Sequence, residues 1–255
     1  MRGGTGELRI TVLGKSPAWQ DAGGACSGDL VEGGGVRVLL DCGPGVFAKL
    51  RRVLDYARVD AVVISHLHAD HVMDLVPYAS GLRYGLHEQV APLLLAPPGA
   101  PEALSQLCTG GSMRADHVEG AFALRVYDPA ETVRVGGLTV RFQPVPHFVP
   151  TNAIEVAENG TRLTYGADCG PNDALPAFAA GTGLLLIEAT LPRPADGHLT
   201  AGEAGEHGAR ARARRLVLTH FSDQLQSQWV HDEAARAFGG EVELAHEGAV
   251  YELDA

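Results

Sequence analysis

The residues with the clearest chemical potential are His66-Leu67-His68-Ala69-Asp70-His71, four metal-competent side chains in six positions, directly after the apolar stretch Asp60 to Ser65. Neutral imidazole nitrogens and a carboxylate oxygen are the ligands that zinc, manganese and iron accept. Alternation along an extended segment points His66 and His68 the same way, and one turn further on Asp70 and His71 face a neighbouring ion. A structural zinc site would be expected to use cysteines in close pairs, whereas Cys26, Cys42, Cys108 and Cys169 are scattered with no C-x-x-C among them. The run therefore predicts an open, catalytic centre.

It matches, at every specified position, the H-x-H-x-D-H signature of the metallo-β-lactamase superfamily, which the chain resembles from about Leu8 to about Tyr251. The resemblance implies an α/β fold, a four-layer αββα sandwich, with the remaining ligands at the ends of later strands. The candidates are His147 in Pro144 to Phe148, Asp168 at the end of Thr164 to Asp168, and His220 at the end of Leu216 to His220. The implied centre holds two divalent ions, zinc first, with Mn2+ or Fe2+ as alternatives. His66, His68 and His147 take one ion, Asp70, His71 and His220 the other, and Asp168 bridges them together with a shared hydroxide. Such a pair lowers the pKa of water and neutralises charge developing on the substrate, so the implied reaction is hydrolysis. Asp70 counts as a catalytic residue as well as a ligand.

Which bond is cut depends on residues outside the ligand set. His198 lies in Gly197 to Thr200, just ahead of a capping-box pattern, Thr200 followed by Glu203, that starts a helix. Here the chain resembles the phosphodiesterase branch of the superfamily: ribonuclease Z, the cyclic phosphodiesterase of phosphonate breakdown and bacterial cyclic-nucleotide phosphodiesterases. In ribonuclease Z a histidine in a His-Ser-Thr-like loop protonates the leaving oxygen and a glutamate in a His-Glu-Ala-Thr loop orients it. This chain has His198-Leu199-Thr200 and Ile187-Glu188-Ala189-Thr190, departing at Leu199 and Ile187. The resemblance makes His198 the general acid and Glu188 its orienting partner, and a carboxylate beside an imidazole raises its pKa towards that role. Leu13 to Ser16 and Ala25 to Asp29 add a shorter resemblance to actinobacterial cyclic-nucleotide phosphodiesterases.

Substrate scale is limited by two features. Ribonuclease Z inserts a long basic arm between its third metal histidine and the bridging aspartate, but here Phe148 to Ala167 reads as a loop and a hairpin turning at Glu158-Asn159-Gly160. Net charge is −11, from 20 Lys+Arg against 31 Asp+Glu, so the chain lacks the basic footprint that grips nucleic-acid backbones. The cationic run Arg210 to Arg215 reads as a solvated helix face and C-terminus, complementing the helix dipole. The expected substrate is a small phosphodiester, cyclic for preference, such as a cyclic nucleotide, with no long nucleic acid as partner. The alternatives are an armless nuclease that grips RNA through a partner subunit and a hydrolase of carbonyl or sulfuric esters. The His198 and Glu188 pair counts against the latter, because protonating an alkoxide from an outer histidine is a phosphodiesterase device. A complete ligand set counts against a non-catalytic binding module.

At 255 residues and 45% hydrophobic content, with no linker-like stretch, the chain is expected to form one domain over 1–255. The start, Met1 to Gly6, shows no apolar leader, and nowhere do 18 apolar residues run together, so no membrane partner is expected. Unpaired cysteines point to the cytoplasm, and members of the branch commonly dimerise, which implies a homodimer.

The elements that must position these residues follow from periodicity. Strands are expected at Glu7 to Leu13, Gly28 to Glu32, Val36 to Asp41, Ala61 to Ser65, Leu93 to Ala96, Phe122 to Val126, Leu138 to Val145, Arg162 to Gly166, Gly183 to Ile187, Leu216 to Thr219 and Ala249 to Glu252. Helices are expected at Gly45 to Leu54, Val72 to Tyr84, Pro101 to Leu107, Asn172 to Phe178, Ala201 to Arg214 and Asp232 to Ala237. Asp41 is either a partner of a ligating histidine or a turn residue before Gly43. Cys169 reads as an inert buried residue, while Arg83, Tyr84 and Asn152 are either candidates for the pocket wall or polar groups of the surface and helix ends. His87, His117, His207, His231 and His246 read as surface or packing residues.

Overall fold

The computed structural model describes residues 8–254; Met1 to Gly6 and Glu7, the expected first residue of the opening strand, lie outside the described residues. β1 (Leu8–Gly14), β2 (Gly28–Gly33), β3 (Val36–Leu40), β4 (Ala61–Val63), β5 (Leu93–Ala96) and β6 (Ala123–Val126) form one sheet, and β14 (Val250–Leu253) from the far end of the chain pairs onto β1. The second sheet runs in the order β13 (Val242–Leu244), β12 (Leu216–Thr219), β11 (Leu184–Glu188), β10 (Thr161–Tyr165), β9 (Thr151–Glu158), β8 (Leu138–Val145), β7 (Thr132–Val135). Both are mixed in the same way. β14, β1, β2 and β3 are antiparallel neighbours, then β3 to β6 are parallel; β7 to β10 are antiparallel, then β10 to β13 parallel.

Burial explains the stacking. β8 alternates Leu138, Val140 and Phe142 inward with Arg141 exposed, the pattern of a strand with one covered face. β4, β11 and β12 are buried along their whole length because parallel strands are covered on both faces. Ile10, Val38, Leu40, Val140, Ile154, Leu163 and Leu186 share the core between the sheets. On the outer face of the first sheet, Leu39, Val62 and Leu94 pack with residues of α1 (Val46–Val53), α3 (Leu75–Tyr84) and α4 (Ala100–Gly110). On the other side, Leu185, Ile187 and Leu218 pack with α5 (Ala174–Phe178), α6 (Ala201–Ala211) and α7 (Ser227–Phe238). The result is the αββα order the resemblance implies.

Several elements depart from expectation for local reasons. The helix expected over Val72 to Tyr84 is two pieces, α2 (Ala69–Val72) and α3, because the Asp74 amide donates to the Cys42 carbonyl at 3.0 Å and its carboxylate accepts the Phe47 amide at 2.9 Å. α6 stops at Ala211, where Arg212 turns left-handed at φ 50°. α7 begins at Ser227, earlier than Asp232, since its first turn carries few buried side chains to show periodicity. β7 and β13 are short edge strands that alternation did not reveal. Among the described residues, no helix is long and apolar enough to cross a membrane.

Candidate metal centre

Parallel pairing aligns strand ends, and polar side chains gather there. His66 follows β4, Asp168 follows β10, Glu188 ends β11 and His220 follows β12, while the short α2 carries Asp70 and His71. Asp41, Ala167 and His220 each adopt a left-handed backbone, at φ 56°, 51° and 53°, a conformation uncommon outside glycine that turns the chain sharply at the strand end.

Two ligand sets share Asp168, beside a third grouping of Glu188, His198 and His220. Nδ1 of His68 lies 3.2 Å from Nε2 of His66 and 3.1 Å from Nε2 of His147, and Oδ2 of Asp168 is 3.9 Å from each of those two Nε2 atoms. In the second set, Nε2 of His220 is 3.2 Å from Oδ2 of Asp70 and 3.5 Å from Oδ2 of Asp168; Nε2 of His71 is 3.5 Å and 3.4 Å from the same two oxygens. Asp168 Oδ2 therefore belongs to both sets, the position of a bridging ligand. Each set has its donor atoms within 4.8 Å of one another.

The donors fit divalent cations. His71 Nε2 and Asp168 Oδ1 are buried without any hydrogen-bond partner, a costly state for polar atoms unless they serve a ligand. Nor can protons satisfy three ring nitrogens converging from His66, His68 and His147. Burial, and for His66 the neighbouring His71, holds all three imidazoles below their usual pKa, in the neutral form that metals bind. Burial opposes charge on Asp168 and Asp70, yet the surrounding histidines hold both carboxyls below the usual range. Burial likewise disfavours charge on His71, but Asp168 and Asp41 lift it well above the usual value; the same negative field attracts a cation.

The far sides of the rings are anchored, which aims the near nitrogens inward. Nδ1 of His147 donates to the Gly197 carbonyl at 2.7 Å, Nδ1 of His71 meets Asp41 Oδ2 at 2.7 Å, Nδ1 of His66 meets Ser65 Oγ at 3.0 Å, and Nδ1 of His220 meets Thr190 Oγ at 2.9 Å. Asp41 is the hub: it also accepts the Ser65 amide and hydroxyl, both at 2.7 Å, and the Tyr165 hydroxyl at 3.0 Å. Both readings of Asp41 hold, since it partners a histidine and occupies the turn.

His198 stands beside both sets. Its Nδ1 lies 3.0 Å and 3.1 Å from the two oxygens of Glu188 and 3.9 Å from Asp168 Oδ2, and its ring stacks on that of His220 at 5.8 Å. Glu188 is held by the Cys169 amide at 2.8 Å, the Leu199 amide at 3.2 Å and the Thr190 hydroxyl at 2.5 Å. Burial works to lower the His198 pKa, but hydrogen bonding to and charge on Glu188 raise it overall. The expected capping box is present, with Thr200 and Glu203 bonding reciprocally. Beside this group Phe148, 65% exposed, lines a cleft of about 680 Å3 with Pro146, Pro171, Asp196, Gly197 and Glu203.

All seven expected ligands, with His198 and Glu188, are thus brought together. Arg83 and Tyr84 are not: the Arg83 guanidinium bonds the Asp116 and His117 carbonyls, and both residues line a separate cleft with Gln89 and Gly120. They belong to the far end of α3 and drop out of the pocket wall. Asn152 is buried behind the site, its backbone N–H donating to the Ser65 carbonyl and its side-chain amide to the Tyr127 hydroxyl. His117 and His207 are buried packing residues, and the four cysteines are free and buried, Cys169 with its thiol pushed well above its usual pKa by burial. Ser65, Thr190, Tyr165 and the Gly197 carbonyl were not foreseen. The first two had a signal, being hydroxyls next to a ligand or to Glu188; a strand tyrosine and a backbone carbonyl carry none.

Residues 36–221 match the model of the beta-lactamase superfamily domain. The probable metallo-hydrolase YhfI of Bacillus subtilis strain 168 is 30% identical over 253 residues, covering 96% of this chain and 100% of that protein. A ribonuclease Z of Mycolicibacterium paratuberculosis is 29% identical over 278 residues, covering 97% of this chain and 99% of that protein. The crystal structure of the metallo-beta-lactamase fold protein YhfI superposes with a TM-score of 0.87 and 27% identity over 97% of this chain and 100% of that one.

Proposed function

The chain belongs to the metallo-β-lactamase superfamily and is a metallo-hydrolase of that fold, and from that premise we propose that it hydrolyses a small phosphodiester, cyclic for preference, such as a cyclic nucleotide. The observation that carries this reading is the His198 to Glu188 pair at 3.0 Å, set against both ligand groups. An outer imidazole held by a buried carboxylate can supply the proton that an alkoxide leaving a phosphoryl group needs.

His66, His68, His147 and Asp168 would hold one divalent ion, and Asp70, His71, His220 and Asp168 the other, with zinc, manganese or iron(II) suited to these donors. When bound, the ions would supply Lewis-acid charge at the scissile phosphoryl group and lower the pKa of water at the site. The chain's own contribution is then proton delivery. Glu188 engages Nδ1 of His198, which leaves Nε2 to donate its proton to the departing oxygen. Thr190 and the Cys169 and Leu199 amides keep Glu188 from swinging away, and the Gly197 carbonyl ties the His198 loop to His147.

Similarity to ribonuclease Z favours RNA as the second reading. Against it, the segment between His147 and Asp168 is taken up by β9, its hairpin turn and β10, with no room for a long basic arm, and the cleft beside His198 is lined by Asp196 and Glu203 with no lysine or arginine. On the leading reading the enzyme acts as one domain and as a cytoplasmic homodimer.

The test is turnover by metal-replete protein of bis(p-nitrophenyl) phosphate and of 2′,3′- and 3′,5′-cyclic nucleotides, with nitrocefin and a lactone as controls, in zinc and in manganese. Hydrolysis of the phosphodiesters alone supports the reading. Activity confined to the carbonyl substrates overturns it.

A further inference from the structure

The segment Leu13 to Ser16 supplies no ligand and no proton donor, yet its lysine reaches across to the loop that carries His220. Lys15 Nζ donates to the Phe221 carbonyl at 2.9 Å and sits 4.4 Å from the centre of the Phe221 ring. It is ion-paired with Asp21, and the two side chains are only 14% and 11% exposed. The other oxygen of Asp21 accepts the Asp223 amide at 3.0 Å, and the Asp21 amide donates to Ser16 Oγ at 3.0 Å. One short loop of the first sheet thus grips residues 221 and 223 of the second.

The gripped residues begin immediately after His220, whose backbone is left-handed at φ 53°. A non-glycine residue holds such a conformation only where its surroundings over-determine it. On one side Thr190 does this, with its hydroxyl 2.8 Å from the His220 carbonyl and 2.9 Å from Nδ1. On the other side the restraint comes from Lys15: an ammonium offers three donors, and here a carboxylate, a carbonyl and an aromatic face surround it. A largely desolvated cation is tolerable because its carboxylate partner is beside it.

We propose that Lys15 is a positioning residue: by holding Phe221 it fixes the direction of His220, and so sets the affinity of the ion taken by Asp70, His71, Asp168 and His220, while touching neither ion nor substrate. The inference rests on the metal assignment above. It predicts an asymmetry, because among the described residues the contacts of Lys15 and Asp21 lead to Phe221 and Asp223 and not to His66, His68 or His147.

The experiment is calorimetric titration of metal-stripped protein with zinc, under chelator competition, for wild type, Lys15→Met, Lys15→Arg and Asp21→Asn, with circular dichroism as the check on folding. Wild type should bind two ions. Lys15→Met should keep one ion at wild-type affinity and bind the other about 10- to 100-fold more weakly, the usual cost of losing an outer-sphere support. Lys15→Arg should recover much of that loss, and Asp21→Asn should show a smaller loss at the same ion. If folded Lys15→Met binds both ions as wild type does, or weakens both equally, the proposal is wrong; should Lys15→Met not fold, Asp21→Asn is judged by the same criteria. Wild type binding fewer than two ions would instead overturn the metal assignment, and this inference with it.

Discussion

Nδ1 of His198 lies 3.0 Å from Oε1 of Glu188, and both side chains are contributed by the second sheet's half of the molecule, Glu188 from the end of β11 and His198 from the loop before α6. The pair is rigid because Glu188 accepts two backbone amides and a hydroxyl besides the imidazole. That fixed setting distinguishes His198 from a solvent-facing loop histidine and suits the proton-donor role proposed for it.

His198→Ala is therefore expected to keep both ions and lose activity in proportion to how badly the leaving group needs a proton. Loss of a general acid costs about 100- to 10,000-fold for a poor leaving group. An alkyl phosphodiester should show that loss in kcat, and a p-nitrophenyl ester much less. Equal rates for mutant and parent on the alkyl ester would remove His198 from its role.

Glu188→Gln keeps the shape and removes the charge. The expected result is a fall of about 10- to 100-fold in kcat with little change in metal content, the range seen when an orienting partner is lost. Metal analysis alongside steady-state kinetics checks this; loss of an ion instead would make Glu188 a structural support of His220 through Thr190.

Asp41→Ala removes the acceptor shared by His71, the Ser65 amide and hydroxyl and Tyr165, all buried. Each donor left unpaired costs about 1–3 kcal/mol, so both thermal stability and affinity for the ion near His71 should fall. Differential scanning calorimetry of the metal-free protein separates the first effect from the second; an unchanged Tm would contradict the hub assigned to Asp41.

Gly43→Ala tests the close approach between the β3 loop and α2. A Cβ at Gly43 would stand 1.8 Å from the Asp70 carbonyl oxygen, so one of the two segments must move. Overpacking of this kind costs about 1–3 kcal/mol, and because α2 carries Asp70 and His71 the shift should also weaken metal binding. Equilibrium denaturation with metal titration reads both quantities.

Metal-dependent hydrolysis was legible in the order of residues along the chain. His66, His68, Asp70 and His71 are adjacent in the chain, so their meeting needs only a strand end and a helical turn, and local geometry is what residue spacing reports. The strands that hold them were legible for the same reason, since β8 alternates and β4, β11 and β12 are continuously apolar. His147, Asp168, His220, His198 and Glu188 could be named only by resemblance, because no local pattern says which distant strand ends share an edge. That was decided by the parallel pairing of β10, β11 and β12 and by the stacking of the two sheets, which together carry Oδ2 of Asp168 to within 4 Å of five histidine nitrogens, those of the four ligating histidines around it and Nδ1 of His198. The supports lay further from view: Tyr165 on Asp41, the Gly197 carbonyl on His147 and Lys15 on Phe221 are contacts across large sequence separations. They exist only once burial of the core has fixed both sheets, since side chains this far apart in the chain have no cause to meet before the apolar faces between them close.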